Sequence, residues 1–309
     1  MRRTQRAARA STLSTLSAPS PQAADPVLPR PPGRDAWRRF HGNHAAVFST
    51  GWLLLVVLVC LLGPLALPNA YDRTDWSAMS LGPTLIDGHV FGTDELGRDL
   101  LVRCMVGGRV SLGIGVVATL TSVSLGIAWG AIAGFVGGRT DAWMMRIVDM
   151  MYASPYLLIA ILLVTLLGRD FPLVVLTITA FSWMDMARVV RGQTLAIRSR
   201  EYVEAARAMG VSPARIILRH VVPNLLGIVV IYTTVTVPGV ILTESVLSFL
   251  GLGVQEPLTS WGVLIHDGAG VMEASPWMLL FPAALLSLTL YCINFIGDGL
   301  RDALDPKER

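Results

Sequence analysis

The residues whose types and spacing most clearly indicate a function lie in a polar segment at residues 201–224, between two apolar stretches. Glu204, Ala205 and Ala206 stand in a row there, and Gly210 follows after three residues. A long polar segment between two apolar stretches is unusual in a membrane-embedded chain, and a rigid helical element on a membrane surface is suited to docking another protein. Glycine readily takes the left-handed conformation that ends a helix. We therefore interpret residues 201–224, here called the docking segment, as a protein-binding element rather than a catalytic centre.

Helix start and stop signals divide the docking segment into two short helices. Ser199 is a favourable N-cap for the first helix, whose early turns carry two glutamates. Ser212 is suited to cap the second helix, and Pro213 occupies its first position, where an N–H has no partner within the helix. Pro223 follows shortly afterwards. The pattern predicts a rigid helical pair.

The placement of lysine excludes nucleotide chemistry. A P-loop needs Gly-x-x-x-x-Gly-Lys-Ser/Thr, because its lysine reaches the terminal phosphates of the nucleotide. Lys307 is the single lysine of the sequence, and no such motif precedes it. The sequence also has no His/Glu metal box and no Gly-x-Ser-x-Gly elbow. We therefore expect no catalytic residue, no metal site and no cofactor in this chain.

Two further candidate sites contain charged residues. Glu244 adjoins an apolar stretch, where a charge is costly unless it faces protein or water. It would either line a path through the membrane or hold residues 248–253 in place. The second candidate, here called the loop motif, is a salt-bridged turn before a short interfacial helix, a contact surface for a protein, or both. Its residues are Gly92, Thr93, Asp94, Gly97, Arg98 and Asp99.

Membrane helices are the elements that must position these residues. Apolar residues make up 53% of the sequence and charged residues 15%, a composition typical of membrane proteins. Crossing about 30 Å of hydrocarbon takes about 20 apolar residues, so we predict an all-α integral membrane protein. The stretch at 171–190 is a weaker candidate for a span, because Asp185 and Arg188 lie near its end. The six predicted spans are 45–71, 110–138, 150–168, 171–190, 221–243 and 274–297.

The distribution of arginine orients these spans. With both termini in the cytoplasm, all but five of the 25 lysines and arginines fall in the tails or in the inner loops. This bias fits the positive-inside rule and places the docking segment on the cytoplasmic side. The net charge of +3 then reflects topology and gives no reason to expect nucleic-acid binding. The five outer residues are Arg73, Arg98, Arg103, Arg109 and Arg169.

Composition predicts four regions. Residues 1–44 are rich in Ala, Ser, Pro and Arg without hydrophobic periodicity, which is typical of a disordered cytoplasmic tail. A cleavable signal peptide fits less well, because the first apolar run is of spanning length and starts after this tail. Residues 45–106 hold the first span and an extracytoplasmic loop. Residues 107–298 form a five-helix core with a cytoplasmic coupling loop at about 191–222, and residues 299–309 are a cytoplasmic tail.

Glycines at a spacing of four residues mark one face of the second span. They are Gly126, Gly130 and Gly134. Small residues at this spacing let two helix backbones pack closely in lipid. We expect this face to pack against another helix.

Four separated motifs together resemble the C-type permease subunit of dipeptide, oligopeptide and nickel ABC importers. They read FGTDELGRD at 91–99, EYVEAARAMG at 201–210, LSFLGLG at 247–253 and NFIGDGLRDALDP at 294–306. The resemblance covers residues 38–306. His220 before Val-Val-Pro-Asn is similar to the peptide branch of the family, and Val222 is a conservative departure from leucine.

The resemblance implies the type I ABC importer permease fold in a bacterial plasma membrane. It implies that the docking segment, through Glu204, Ala205, Ala206, Gly210 and Pro223, engages a cleft of a cytoplasmic ATPase. The implied partners are a second, homologous permease chain, two ATPase subunits that bind ATP and Mg, and an extracytoplasmic solute-binding protein. Substrate would cross by alternating access.

An ion-coupled secondary transporter is the alternative hypothesis. Such a protein would be expected to show inverted repeats and carboxylates near the midplane of the membrane. The sequence shows no convincing internal repeat, and most charges lie at span ends. A channel-like or structural subunit would not need the docking segment. The substrate stays open among dipeptides, oligopeptides, nickel and related small solutes, because selectivity in the family resides largely in the binding protein.

Overall fold

The described part of the chain is helical. The computed structural model describes residues 32–66, 71–85 and 88–304, and no β-strand forms within these ranges. Helices suit a lipid environment because they satisfy their own backbone hydrogen bonds. The helices of the first half are α1 (Pro32–Gly42), α2 (His44–Ala66), α3 (Leu100–Val136), α4 (Gly138–Ala153), α5 (Tyr156–Leu167) and α6 (Phe171–Ser182).

The second half contains the docking segment and the last two spans. Two π-helical turns interrupt it, at Ile217–Val221 before α10 and at Ser248–Leu252 after α10. The helices are α7 (Met184–Arg198), α8 (Glu201–Ala208), α9 (Pro213–Ile216), α10 (Val222–Leu247), α11 (Trp261–Gly270) and α12 (Trp277–Leu304).

The six predicted spans correspond to four continuous helices and two bent pairs. The continuous ones are α2, α3, the run Pro213–Leu252 that contains α10, and α12. Helices α4 and α5 meet at 87°, and helices α6 and α7 meet at 42°. The predicted all-α membrane fold is confirmed, with each bent pair counted as one span.

The predicted span at 150–168 is bent, because the helix breaks at Ser154 and Pro155. Proline has no N–H to donate and disfavours a helical conformation in the residue before it. Helix α5 has 12 residues, so at 1.5 Å per residue it reaches about 18 Å. That length does not cross the hydrocarbon core on its own.

Two of the predicted region boundaries fall inside helices. The second span starts at Leu100 rather than near residue 110, so the boundary at 106/107 lies within α3 and no separate interfacial helix precedes it. The boundary at 298/299 lies within α12, which continues because Gly299 packs against Ala46 of α2.

Part of the predicted N-terminal tail is also helical. Residues 32–42 form α1, which packs against α12, with Phe40 beside Gly299. The side chain of Phe40 packs against α12, and the sequence of the tail alone does not show this contact. The remainder of the predicted tail, residues 1–31, lies outside the described residues, as do residues 305–309 with Lys307.

Helix α3 is the central element of the bundle. Its 37 residues extend over about 55 Å, and it packs against α2, α6, α7 and α10. The closest approach is to α7, where the three predicted glycines meet backbone atoms. A Cβ at Gly126 would lie 2.8 Å from the carbonyl oxygen of Trp183, and one at Gly134 would lie 2.8 Å from that of Arg191. The predicted close packing of this face is confirmed.

Gly126→Val is expected to lower the stability of the protein by about 1–3 kcal/mol, because the new side chain would force α3 away from α7. The measurement is the midpoint of thermal unfolding in detergent. Gly113→Ala is the matched control on the same helix, since its Cβ would lie 3.8 Å from Phe171 and meet no backbone. An unchanged midpoint for Gly126→Val would contradict the close contact.

Candidate functional site

The first predicted short helix forms as α8, which Gly210 terminates, whereas the predicted second one, α9, is not separate and continues without a break into the helix Pro213–Leu252. Gly210 has a φ of +78°, the left-handed conformation that glycine adopts without strain. Its N–H donates to the carbonyl of Arg207 at 2.9 Å, and the N–H of Val211 donates to the carbonyl of Ala206 at 3.1 Å. These bonds satisfy the last carbonyls of α8 and turn the chain towards α9.

The predicted cap of the first helix is wrong. Arg200, not Ser199, occupies the N-cap of α8, and it makes no side-chain capping bond. The hydroxyl of Ser199 instead donates to the carbonyl of Ala196 at 3.2 Å, in the last turn of α7. Ser212 does occupy the N-cap of α9 as predicted, with Pro213 next to it, but its side chain makes no capping bond.

Burial divides α8 into two faces. Val203 and Ala206 are buried in the apolar cluster that also contains Phe135 of α3 and Ile216 of α9. Glu204 and Ala205 face away from the bundle, together with the largely exposed Met209. The two neighbouring alanines therefore have different surroundings, and only Ala205 is accessible to another protein.

Two arginine side chains contact the end of α3, one from α8 and one from α7. The guanidinium of Arg207 lies 4.5 Å from the ring centre of Phe135, in a cation–π contact. Arg198, at the end of α7, donates to the carbonyls of Gly134 and Phe135 at 3.5 and 3.4 Å. Sequence reasoning missed these contacts, because they join residues more than sixty positions apart and no local pattern marks them.

Pro223 lies at the start of α10, directly after a π-helical turn. Because proline cannot donate a backbone hydrogen bond, the helix widens before it, and the N–H of Val222 donates to the carbonyl of Ile217. The amide of Asn224 also donates to the carbonyl of His220, at 2.6 Å. The docking segment thus continues into α10 without a flexible linker.

Glu244 is fully buried among serine hydroxyls. Ser248 donates to Oε1 at 2.7 Å, and Ser111 of α3 donates to Oε2 at 3.0 Å. The oxygen of Ser111 accepts in turn from the backbone N–H of Trp261 at 3.2 Å. The carboxylate therefore connects α10 and its π-helical turn with α3 and α11. It faces the interior of this chain.

The loop motif is organised around the buried carboxylate of Asp94. The backbone N–H groups of Leu96 and Arg98 donate to Oδ1 at 2.9 and 2.8 Å. Nε of Arg98 and Nη1 of Arg103 donate to Oδ2 at 2.6 and 2.5 Å. Arg103 is itself only 3% exposed, so this pair is shielded from water and salt.

The other predicted residues of the loop motif shape the turn around Asp94. Thr93 is buried, and its hydroxyl donates to the carbonyl of Ala78 at 2.5 Å. Gly92 and Gly97 have φ values of +79° and +73°. Asp99 caps α3 by accepting from the N–H of Val102 at 3.0 Å. The turn is capped and salt-bridged, as predicted.

The cluster around Asp94 extends to the segment before α11. Arg98 donates to Glu256 at 2.8 Å, and Asp267 lies 3.8 Å from Arg103. Burial raises the pKa of Asp267, although the guanidinium of Arg103 opposes this. Burial lowers the pKa of Arg98, but hydrogen bonds to Glu256 and Asp94 outweigh it, so this pKa lies above the usual value.

The fold is similar to that of a chain in a solved ABC transporter. A solved inward-facing structure of the MetNI methionine ABC transporter matches with a TM-score of 0.55 and 19% sequence identity, over 67% of this chain and 96% of that chain. A second crystal form of MetNI matches with a TM-score of 0.52 over 64% of this chain and 94% of that one. At this identity the likeness establishes the fold alone.

The chain belongs to the family of binding-protein-dependent transport system inner membrane components, whose model matches residues 126–309. Residues 31–83 match the N-terminal transmembrane domain of oligopeptide transport permease C. The protein is therefore a multi-pass protein of the inner membrane.

Named relatives match along most of the chain. The oligopeptide transport system permease protein OppC of Escherichia coli K12 is 54% identical over 276 residues, which are 89% of this chain and 91% of the relative. OppC of Haemophilus influenzae is 52% identical, over 89% of each chain. The dipeptide transport system permease protein DppC of Bacillus subtilis is 44% identical, over 89% of this chain and 86% of the relative.

Asp94→Ala is expected to destabilise the protein by about 3–5 kcal/mol, because it removes the nearest carboxylate from the buried guanidinium of Arg103. Glu256→Ala is the matched control. Its side chain is 63% exposed, so its removal is expected to change stability by no more than about 1 kcal/mol. Thermal unfolding of the two purified variants compares them. Equal effects would contradict the central role of Asp94.

Proposed function

We propose that the chain is the permease subunit of an ATP-driven importer that carries peptides into the cytoplasm. The observation that carries the proposal is the α8 face with Glu204 and Ala205, which is exposed while Val203 and Ala206 of the same helix are buried in the apolar cluster with Phe135 of α3. An exposed surface on a rigid support can transmit the movement of a partner to the spans. The relatives named as oligopeptide and dipeptide permeases support peptides as the substrate class.

ATP is bound and hydrolysed by other subunits in this proposal. The single lysine, Lys307, does not stand in a P-loop sequence, so the energy comes from two ATPase subunits that hold ATP and Mg. The remaining partners are a second, homologous permease chain and an extracytoplasmic solute-binding protein. The chain itself holds no catalytic residue.

Helix α7 links the docking segment to the spans. Its N-terminal end meets α6 at the 42° bend, and its C-terminal end leads into α8. Closure of the ATPase pair would move α8 and the adjoining α7, and α3 would move with them because its glycines are packed against the backbone of α7. Alternating access then follows from rotation of rigid helices rather than from local unfolding.

Glu244 and the loop motif have supporting roles in the proposed mechanism. The Glu244 carboxylate is fully buried, which favours the role of holding the π-helical turn Ser248–Leu252 over direct contact with substrate. The loop motif presents an ordered surface that a solute-binding protein could contact. Asp94 gives that surface its rigidity.

Uptake assays with the purified complex test the proposed function. The complex is reconstituted in proteoliposomes with ATP inside and the binding protein outside, and labelled di- and oligopeptides are supplied. ATP-dependent uptake of peptide is the expected result. Uptake by this chain alone, driven by an ion gradient without ATP, would instead establish the secondary transporter.

Ala205→Trp is expected to abolish ATP-coupled uptake while leaving the chain folded, because the indole would project from the exposed face of α8 into the ATPase. Stability should change by no more than about 0.5 kcal/mol. Ala206→Trp is the matched comparison. It would enlarge a side chain buried in the chain's own core and lower stability by about 1–3 kcal/mol. Normal ATPase copurification and uptake with Ala205→Trp would refute docking through this face.

Gly210→Pro is expected to uncouple the transporter by changing the direction of the turn after α8. Proline fixes φ near −65°, which is incompatible with the φ of +78° at this position. Insertion into the membrane should be retained, as measured by the amount of chain in the membrane fraction, and uptake should be lost. Gly192→Ala is the control, because no atom lies within 4 Å of its Cβ position.

A further inference from the structure

A cavity of about 610 Å³ lies among the α4–α5 junction, α6, α7 and α10. Its volume is in the range of sites that hold small ligands, about 300–1,000 Å³. Along α10 the lining runs from Tyr232 to Leu247, so the cavity follows that helix for about 22 Å, a large part of the membrane thickness. Charged side chains, Asp185 and Arg188, line it beside the break between α6 and α7.

Several hydroxyl groups on the cavity wall can act only as hydrogen-bond acceptors towards a ligand, because their hydrogens are already donated. Ser154 and Ser182 donate to carbonyls of their own helices at 3.0 and 2.9 Å. Thr236 and Thr243 do the same on α10, each at 2.8 Å. A hydroxyl has one donor and two acceptor lone pairs, so each of these groups keeps only acceptor capacity for a ligand.

A buried hydroxyl without a partner gives a second, independent indication of a ligand. Thr177 of α6 lines the cavity and is only 1% exposed, and its Oγ1 has no hydrogen-bond partner among the described residues. Buried polar groups in proteins are normally hydrogen-bonded, and an exception requires an explanation. A ligand that enters the cavity would supply the missing hydrogen bond.

Asp185 provides the negative charge of the cavity. The hydroxyl of Tyr152 donates to its Oδ1, which uses only a part of the acceptor capacity of a carboxylate. The neighbouring positive charge is already engaged, because Arg188 donates to Asp149 at 2.7 Å and lies 4.0 Å from the ring centre of Tyr152. The cavity therefore offers a carboxylate and a row of acceptors.

We propose that this cavity holds the peptide during transit, with the peptide's terminal ammonium bound by Asp185 and its amide N–H groups bound by the hydroxyls of Thr177, Thr236 and Thr243. This inference rests on the proposed function. A peptide carries one cationic end and a series of N–H donors, which matches the acceptors of the wall. A transition metal such as nickel prefers imidazole or thiolate ligands, and no histidine or cysteine lines the cavity.

The test compares variants of Asp185 in the reconstituted complex, supplied with a labelled tripeptide. Asp185→Asn is expected to lower the maximal uptake rate by about tenfold, because a charge-assisted hydrogen bond is lost. The peptide concentration for half-maximal uptake is expected to stay the same, because the binding protein captures the peptide first. Asp185→Glu is expected to restore most of the rate. Asp298→Asn is the control, an exposed carboxylate on α12 away from the cavity.

A maximal rate for Asp185→Asn within about twofold of the unmodified complex would overturn the inference. If the unmodified complex takes up no peptide at all, the proposed function fails instead, and the two failures are thus distinguished.

If the Asp185→Asn complex does not assemble, cysteine labelling tests whether the peptide passes through the cavity. Thr236→Cys and Thr243→Cys are treated with a cationic methanethiosulfonate reagent, which should react at both positions and block uptake, while transported peptide slows the reaction. Leu242→Cys, outside the cavity lining on the same helix, is the control and should keep its uptake. The native cysteines are buried. Failure of both threonine positions to react, or reaction without loss of uptake, would overturn the inference.

Discussion

Helices α3 and α7 approach so closely that carbonyl oxygens of α7 lie against the glycines of α3, and the positions of the other elements follow from this contact. Apolar side chains provide no hydrophobic driving force in lipid, so association depends on close packing. Glycines at 126, 130 and 134 allow it. The N-terminal end of α7 lines the cavity and its C-terminal end carries α8, so one rigid helix joins a candidate ligand site to a candidate docking surface.

Buried carboxylates fix the opposite end of α3. Asp94 binds two arginines and two backbone N–H groups, and Glu244 binds hydroxyls from α3, from α10 and from the turn after α10. Either carboxyl group, buried without these hydrogen bonds, would be destabilising, so each requires its surroundings to stay assembled. Both ends of α3 are therefore held, one by backbone packing against α7 and the other by polar bonds.

Sequence reasoning succeeded where a local pattern carries the physics. The left-handed glycine after α8 and the turn around Asp94 both came from residues a few positions apart. Sequence reasoning failed where two neighbouring residues could each be the N-cap of a helix. Ser199 looked like a better cap than Arg200, but its hydroxyl binds the end of α7. The continuation of α3 back to Leu100 also exceeded what apolar run length indicates.

The sequence by itself determined that this is a membrane protein with six apolar spans, and it marked the polar segment at 201–224 as a candidate docking element. Those conclusions rest on composition, run length and motif spacing, which are properties of neighbouring residues. Only the tertiary structure decided that Ala205 is accessible and Ala206 is not, that Glu244 faces serines, and that Asp185 lines a cavity. These facts depend on which helices meet, and such contacts join residues too far apart in the chain for any local pattern to specify.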